Sequence, residues 1–316
     1  MGSMRLTQAR RSLRNFGWWK FTLLLVAALP LPLSTAIAGD ANSNQPPQVI
    51  GGFTYLDPTK SLLSHCTVEY DAAGAVTNIR KGFVTDEDLI LIARLPRVTG
   101  LYFYAGPEIT QRGMSALYMA SNLVSLSMCA MFATNNMAAM VGRMGQLKSL
   151  RWDFGRLSDS DLRNLVQLTN LEELVLRPGS IVGPGAMCLL TNLTHLKRLD
   201  FSSGVRWDSP TLKVLQMKGD VTQKIREAAP NELVSQLMCL SKLPELQSLT
   251  LSEFPTFEVK HYQALAHIPK LDSLTLLRCG YNSDWTNLVR QLPKLTKATI
   301  SGNWNDGESY TWSRPP

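Results

Sequence analysis

The chain has 316 residues, 45% of them hydrophobic, which is enough apolar material for a sizeable core and excludes a wholly disordered polymer. Its formal charge of +7 comes from 32 basic and 25 acidic residues. Positions 1–38 hold five of the basic residues and no acid, which leaves 27 against 25, or +2, so the charge is no sign of nucleic-acid binding and no nucleic-acid partner is expected.

Residues 1–38 carry Arg5, Arg10, Arg11, Arg14 and Lys20, then an apolar run from Phe21 to Leu33, then Ala36-Ile37-Ala38. Basic region, short apolar core and small-residue site are the three parts of a secretory signal peptide, with cleavage expected after Ala38. A membrane anchor needs about 20 apolar residues, whereas this run has 13 and is interrupted by Pro30 and Pro32. Nine residues separate Arg10-Arg11 from Phe21, which favours ordinary secretion over the twin-arginine route. The mature chain is therefore expected to be exported, to the periplasm, cell surface or medium, without stable membrane insertion.

Residues 39–65 are polar, with Pro46-Pro47 and Gly51-Gly52, and read as a linker or N-terminal arm. Over 66–83, Cys66–Tyr70 alternates, Asp71–Gly74 turns and Val76–Ile79 alternates again, which predicts a hairpin that caps the N-terminal end of the region from 84 onward.

From 84 to 304 one phrase recurs. Leu162, Leu165, Leu168, Leu171, Leu174 and Leu176 spell L-x-x-L-x-x-L-x-x-L-x-x-L-x-L, and the fifth slot returns at Leu101, Leu126, Leu150, Leu174, Leu199, Leu249, Leu274 and Ala298. These eight copies offer 48 slots and 47 are apolar, Thr286 being the exception, so chance is dismissed. A fixed step of 24 or 25 residues means a solenoid. The 50-residue step from Leu199 to Leu249 is taken as two repeats with one eroded copy between them. A strict frame would put Lys218, Lys224 and Arg226 in core slots there, where unpartnered charges are costly. Residues 204–231 are thus either a degenerate copy patched by snorkelling lysines, the favoured reading, or an inserted loop.

The chain closes with Asn305-Asp306-Gly307 before Ser309-Tyr310-Thr311-Trp312, a hairpin signal that makes 305–316 a C-terminal cap or tail. Covering the last repeat is the expected job of Trp304, Tyr310 and Trp312.

The repeat phrase resembles the leucine-rich repeat of secreted bacterial proteins, and Thr85-Asp86-Glu87-Asp88-Leu89 and Ser158-Asp159-Ser160-Asp161-Leu162 look like the T-D-x-x-L openings of those members. The resemblance implies an α/β solenoid, a horseshoe whose parallel concave sheet is backed by convex helices. It implies a binding function and is silent on the ligand. The spacing Ser158–Asp161 matches a helix-start capping pair. Cys279 falls in the L-x-L-x-x-C slot, where the family uses Asn or Cys to satisfy turn backbone groups, and Asn303 fills the same slot one repeat on. The five cysteines show no disulfide framework. Cys188 and Cys239 are placed on helices about two repeats apart, beyond the Cα separation of roughly 7 Å that a disulfide tolerates. Buried free thiols are expected for most of them.

No H-E-x-x-H, G-x-S-x-G, phosphate loop or paired C-x-x-C occurs, so neither catalytic residues nor cofactor or metal ligands are assigned, and an enzyme is not expected. The concave sheet remains. Residues beside the inward slots point to solvent there, and the register puts Tyr102 and Tyr104 in the first copies, Arg151, Asp153, Glu173, Arg177, Arg198 and Asp200 in the middle ones, and serines and threonines after them. Concave solenoid faces are extended binding surfaces, and Tyr and Arg are frequent interface anchors. These eight residues are the candidate partner-binding set for a protein or peptide, through contacts that should weaken with salt. Two alternatives remain: a solvated cross-strand ladder for the charges, and a structural envelope component with no ligand on this face.

Overall fold

The computed structural model describes residues 49–50, 53–55, 66–130, 136–155, 157–177, 185–202, 233–254, 257–280, 284–301 and 309–315. The expected signal segment, most of the N-terminal arm, residues 204–231, Asn303 and Trp304 lie outside them. Residues 47–316 form a compact unit of their own, and the sheet and helices described below belong to it.

Alternating apolar and polar residues at the end of each repeat phrase form one sheet. Its strands are β1 (Val49–Ile50), β2 (Phe53–Tyr55), β3 (Cys66–Tyr70), β4 (Val76–Phe83), β5 (Gly100–Tyr104), β6 (Ser125–Cys129), β7 (Ser149–Asp153), β8 (Glu173–Arg177), β9 (Arg198–Ser202), β10 (Ser248–Ser252), β11 (Ser273–Leu277), β12 (Lys297–Ser301) and β13 (Ser309–Ser313), and they stand side by side in sequence order. From β4 to β12 every pairing is parallel, and the leucine slots align across it: Leu101, Leu126, Leu150, Leu174 and Leu199 are successive partners. Antiparallel pairs close both ends, β3 with β4 and β12 with β13. The fold is an α/β solenoid of the kind the leucine-rich phrase implies.

Between strands the chain returns through short helices: α1 (Asp86–Ala93), α2 (Gln111–Tyr118), α3 (Met137–Val141), α4 (Asp159–Leu165), α5 (Ala186–Leu189), α6 (233–240), α7 (Val259–Leu265) and α8 (Trp285–Arg290). Slots three residues apart keep one side of each helix against the sheet. Leu162, Leu165, Leu168, Leu171, Leu174 and Leu176 are all buried. Where the phrase failed at Thr286, its neighbour Trp285 is buried instead, a one-residue shift that keeps an apolar group in the core. The expected capping pair forms, Ser158 with Asp161 at the start of α4, and Thr85 with Asp88 makes a second one at the start of α1. Repeats also cap one another. The Thr110 N–H and hydroxyl, at the start of α2, donate to Asp86 of α1 at 2.8 and 2.5 Å. A side chain at Gly113 would collide with Asp86, so that contact needs a glycine facing it.

Two expectations are overturned at one place. β9 is hydrogen-bonded directly to β10, with Leu199 opposite Leu249 and Phe201 opposite Leu251. The 50-residue step is therefore one step of the array, and no eroded copy supplies a strand between them. Counting residues assumed that every 25 advance the sheet by one strand, and the 50 residues from Leu199 to Leu249 advance it by only one. The cysteine reading fails for the same reason. Cys188 lies ten residues before Arg198 and Cys239 nine before Ser248, the same point of adjacent repeats. Their Cα atoms stand 5.0 Å apart and the sulfurs are bonded. Cys66, Cys129 and Cys279 are free; Cys66 and Cys279 are buried. Cys279 behaves as its slot implies, its thiol donating to the Leu251 carbonyl at 3.4 Å, and burial pushes its pKa up to about 12.

Candidate binding surface

Strand geometry decides which side chains line the helix-free face of the sheet. Within β7, Leu150 and Trp152 turn inward and are buried, so Ser149, Arg151 and Asp153 turn outward. From β5 to β12 the register is unbroken, and between β4 and β5 it shifts once, between Arg80 and Phe83, so outward residues form rows across neighbouring strands. One row reads Arg80, Tyr102, Ser127, Arg151, Val175, Asp200, Thr250, Thr275 and Thr299. Another runs Phe83, Tyr104, Cys129, Asp153 and Arg177. A third runs Ser125, Ser149, Glu173, Arg198 and Ser248, so all eight predicted residues belong to this face.

The six charged residues are brought together and pair among themselves. Arg151 Nε donates to Asp153 Oδ2 at 2.6 Å within β7. Arg177 on β8 binds Asp200 on β9 through Nε at 3.1 Å and through Nη2. Arg198 on β9 reaches back to Glu173 on β8 at 3.2 Å, and the Ser149 hydroxyl donates to the same Glu173 carboxylate. Burial opposes the charge on Arg177, but the Asp200 carboxylate outweighs it and lifts the guanidinium above its ordinary pKa, with Asp153 and Glu253 adding to this. One oxygen each of Asp153 and Asp200, Oδ1, is buried without a hydrogen-bond partner among the described residues. The ladder thus satisfies its cations and leaves two acceptors in reserve.

The tyrosines stand apart from that ladder. β6 intervenes, with only Ser125, Ser127 and Cys129 outward, so a strip of small side chains separates the aromatic end from the ionic one. Tyr102 and Tyr104 meet edge to face at 5.7 Å, and Tyr104 meets Phe83 in the same way at 5.8 Å. The Arg80 guanidinium lies 5.7 Å from the centre of the Tyr102 ring. Partial burial, together with the hydrogen bond to Tyr104 and the nearby Cys129 and Asp153, raises the Tyr102 phenol, so it keeps its proton. Tyr104 and Phe83 remain 39% and 53% exposed.

Sequence reasoning missed a further column. Phe154, Glu253 and Arg278 each follow a strand directly, and each adopts a left-handed backbone with φ of 63°, 64° and 55°, a region few non-glycine residues occupy. That turn leaves Phe154 54% exposed beside the ionic row. It also lets Glu253 take the Ser202 hydroxyl and the Arg278 guanidinium, each at 3.1 Å, extending the ladder past β9. These residues sit four positions after the fifth slots Leu150, Leu249 and Leu274, so reading one more column of the repeat would have found them. Phe83 escaped for a different reason: β4 lies in the capping hairpin, before the first full copy. Among the described residues no group of His, Cys, Asp and Glu could hold a metal ion, and no helix is long and apolar enough to cross a membrane.

No protein-family model and no curated protein sequence matches the chain. Solved structures do resemble it. One is TLR13 in complex with ssRNA13, at TM-score 0.44 and 17% identity over 70% of this chain and 28% of that one. An internalin from Listeria monocytogenes gives TM-score 0.38 and 15% identity over 73% and 57%, and the mouse RP105/MD-1 complex gives 0.37 and 16% over 64% and 35%. The chain thus spans under two thirds of each of these proteins, and its fold assignment rests on its own strand order and register.

Proposed function

We propose that this protein is an exported, non-enzymatic scaffold that binds a protein or peptide on the helix-free face of its sheet. One observation carries the reading. Phe83, Tyr102 and Tyr104 form an aromatic group on that face, exposed enough to meet a partner, where β10 to β12 make the same array with Thr250, Thr275 and Thr299. The repeat does not need aromatic residues there. Tyrosine offers a flat apolar anchor with a polar tip, the chemistry of interface hot spots. Beside it, the small-residue strip over β6 leaves room for an extended segment, and the ladder of Arg151, Asp153, Glu173, Arg177, Arg198 and Asp200 presents fixed hydrogen-bonding groups. The Cys188–Cys239 disulfide supports export, since such bonds persist in oxidising compartments.

A second reading, an envelope component whose sheet face is idle, draws on the ladder's self-sufficiency: each of its charges already has a partner. The two separate experimentally. The mature chain is used to capture partners from its native extract, and affinity is compared for Tyr104→Ala, Arg151→Ala and an exposed helix control, Arg163→Ala. The binding reading expects the first two to weaken capture and the control to leave it intact. Loss only in the control would move the interface to the helices and favour the structural reading.

A further inference from the structure

The last strand offers an interaction that the sheet-face reading does not use. β13 stands at the end of the hydrogen-bonded order, and among the described residues it pairs only with β12. Its register shows which backbone groups face away. The Arg314 N–H donates to the Thr296 carbonyl at 2.8 Å, and opposed residues in an antiparallel pair alternate between hydrogen-bonded and not. Trp312 and Tyr310, opposite Ala298 and Ile300, therefore turn their N–H and C=O toward β12. Ser309, Thr311 and Ser313 turn theirs outward, and all three are exposed. Proteins usually blunt such an edge with a lysine, a proline, a bulge or a cover. Ser309-Tyr310-Thr311-Trp312-Ser313 contains no lysine or proline and its pairing to β12 is unbroken.

The strand also reads the same in both directions by residue class: hydroxyl, aromatic, hydroxyl, aromatic, hydroxyl. We propose that β13 pairs antiparallel with β13 of a second copy of this chain, about a two-fold axis through Thr311. In that register Thr311 meets Thr311 and Ser309 meets Ser313 twice, so every outward N–H and C=O on both strands finds a partner. A two-fold centred on Tyr310 or Trp312 would leave some of them unmatched. Tyr310 meets Trp312 on either side of the axis, and aromatic cross-strand pairs are among the favourable ones. The strand is uncharged, so no like charges are opposed. This complementarity argues for a second copy rather than a foreign strand. The contact is isologous, so it closes on itself and stops at the dimer, and Pro315-Pro316 bounds its length. Five residues a side are far fewer than the roughly 20–30 of a standard interface, which makes the association weak and concentration-dependent.

Sedimentation velocity of the mature chain, from micromolar to submillimolar concentration, tests it. The sedimentation coefficient should rise with concentration toward that of a dimer. Thr311→Pro removes an outward N–H that β12 does not use, and Thr311→Lys opposes two cations at the axis. Both should stay at the monomer value with thermal unfolding unchanged, and the lysine variant decides the matter should the proline variant unfold. Under mild oxidation Thr311→Cys should cross-link to itself on a non-reducing gel, whereas Ser309→Cys, which faces Ser313, and the wild type should not. A wild type that sediments as a monomer throughout would overturn the proposal. So would a dimer that survives both substitutions, or equal cross-linking at 309 and 311.

Discussion

Removing the Cys188–Cys239 bond should loosen the array at the place where its sequence period fails. The bond joins residues 51 apart in sequence, and the segment between them includes β9 and leads to β10, its direct neighbour in the sheet. Reduction frees that loop in the unfolded chain. On the chain-entropy relation a closed loop of this length is worth about 4 kcal/mol at room temperature, within the span of a few kcal/mol seen when native disulfides are lost. The assay is equilibrium urea unfolding of the oxidised protein, of the same protein with a phosphine reductant, and of Cys188→Ala/Cys239→Ala. The last two should unfold at a similar, lower midpoint. A thiol titration of the denatured, unreduced protein provides the covalent check: it should find three free thiols, those of Cys66, Cys129 and Cys279. Five reactive thiols in protein purified without reductant, or equal midpoints with and without reductant, would refute the reasoning.

Leu174→Ala truncates a fully buried side chain in the middle of the array and should cost about 2–5 kcal/mol in chemical denaturation, as core truncations do. Lys218→Ala and Lys224→Ala should cost far less, because β9 pairs directly with β10 and no strand lies between them; equal losses would mean that these lysines occupy core slots after all. Glu172 supplies a pH test. Lys197 at 2.7 Å, with Lys148 at 3.5 Å adding to it, holds the carboxyl below its ordinary value of 4.5. A depressed carboxyl stabilises the fold above its unfolded pKa and loses that contribution as pH falls through its folded pKa. Thermal unfolding of Glu172→Gln should therefore show a shallower decline on acidification below about pH 4.5 than the wild type, and identical acid profiles would contradict the Lys148–Glu172–Lys197 chain.

Periodicity exposed the scaffold because burial repeats with the backbone: each inward leucine has the same neighbours one strand away, so the constraint recurs at a fixed spacing. It exposed the outward rows for the same reason, since a side chain's face follows from its parity within a five-residue strand. The direct pairing of β9 with β10 was illegible because length in sequence and advance along the sheet part company there, and composition alone does not say where a repeat supplies no strand. The disulfide was hidden behind that error. Pairing within the charged rows could not be read either. Arg177 chooses between Asp153 and Asp200, and Arg151 between its own strand and its neighbours, by rotamer and not by register.

That pairing changes what kind of partner the surface suits. Three arginines and three carboxylates contributed by β7, β8 and β9 cancel, and Glu253 with Arg278 cancels beside them. A sum of zero projects little field beyond the roughly 8–10 Å over which salt screens exposed charge, so the salt dependence expected of binding through this charged patch gives way to short-range contacts. A highly charged partner would have to break ion pairs before forming its own. A segment with an apolar or aromatic anchor breaks none: it can cover Phe83 and Tyr104, lie over the small side chains of β6, and meet the ladder through hydrogen bonds. On the binding reading proposed above, the ladder would serve as a polar wall that sets where the partner stops, and the aromatic group would supply the hold.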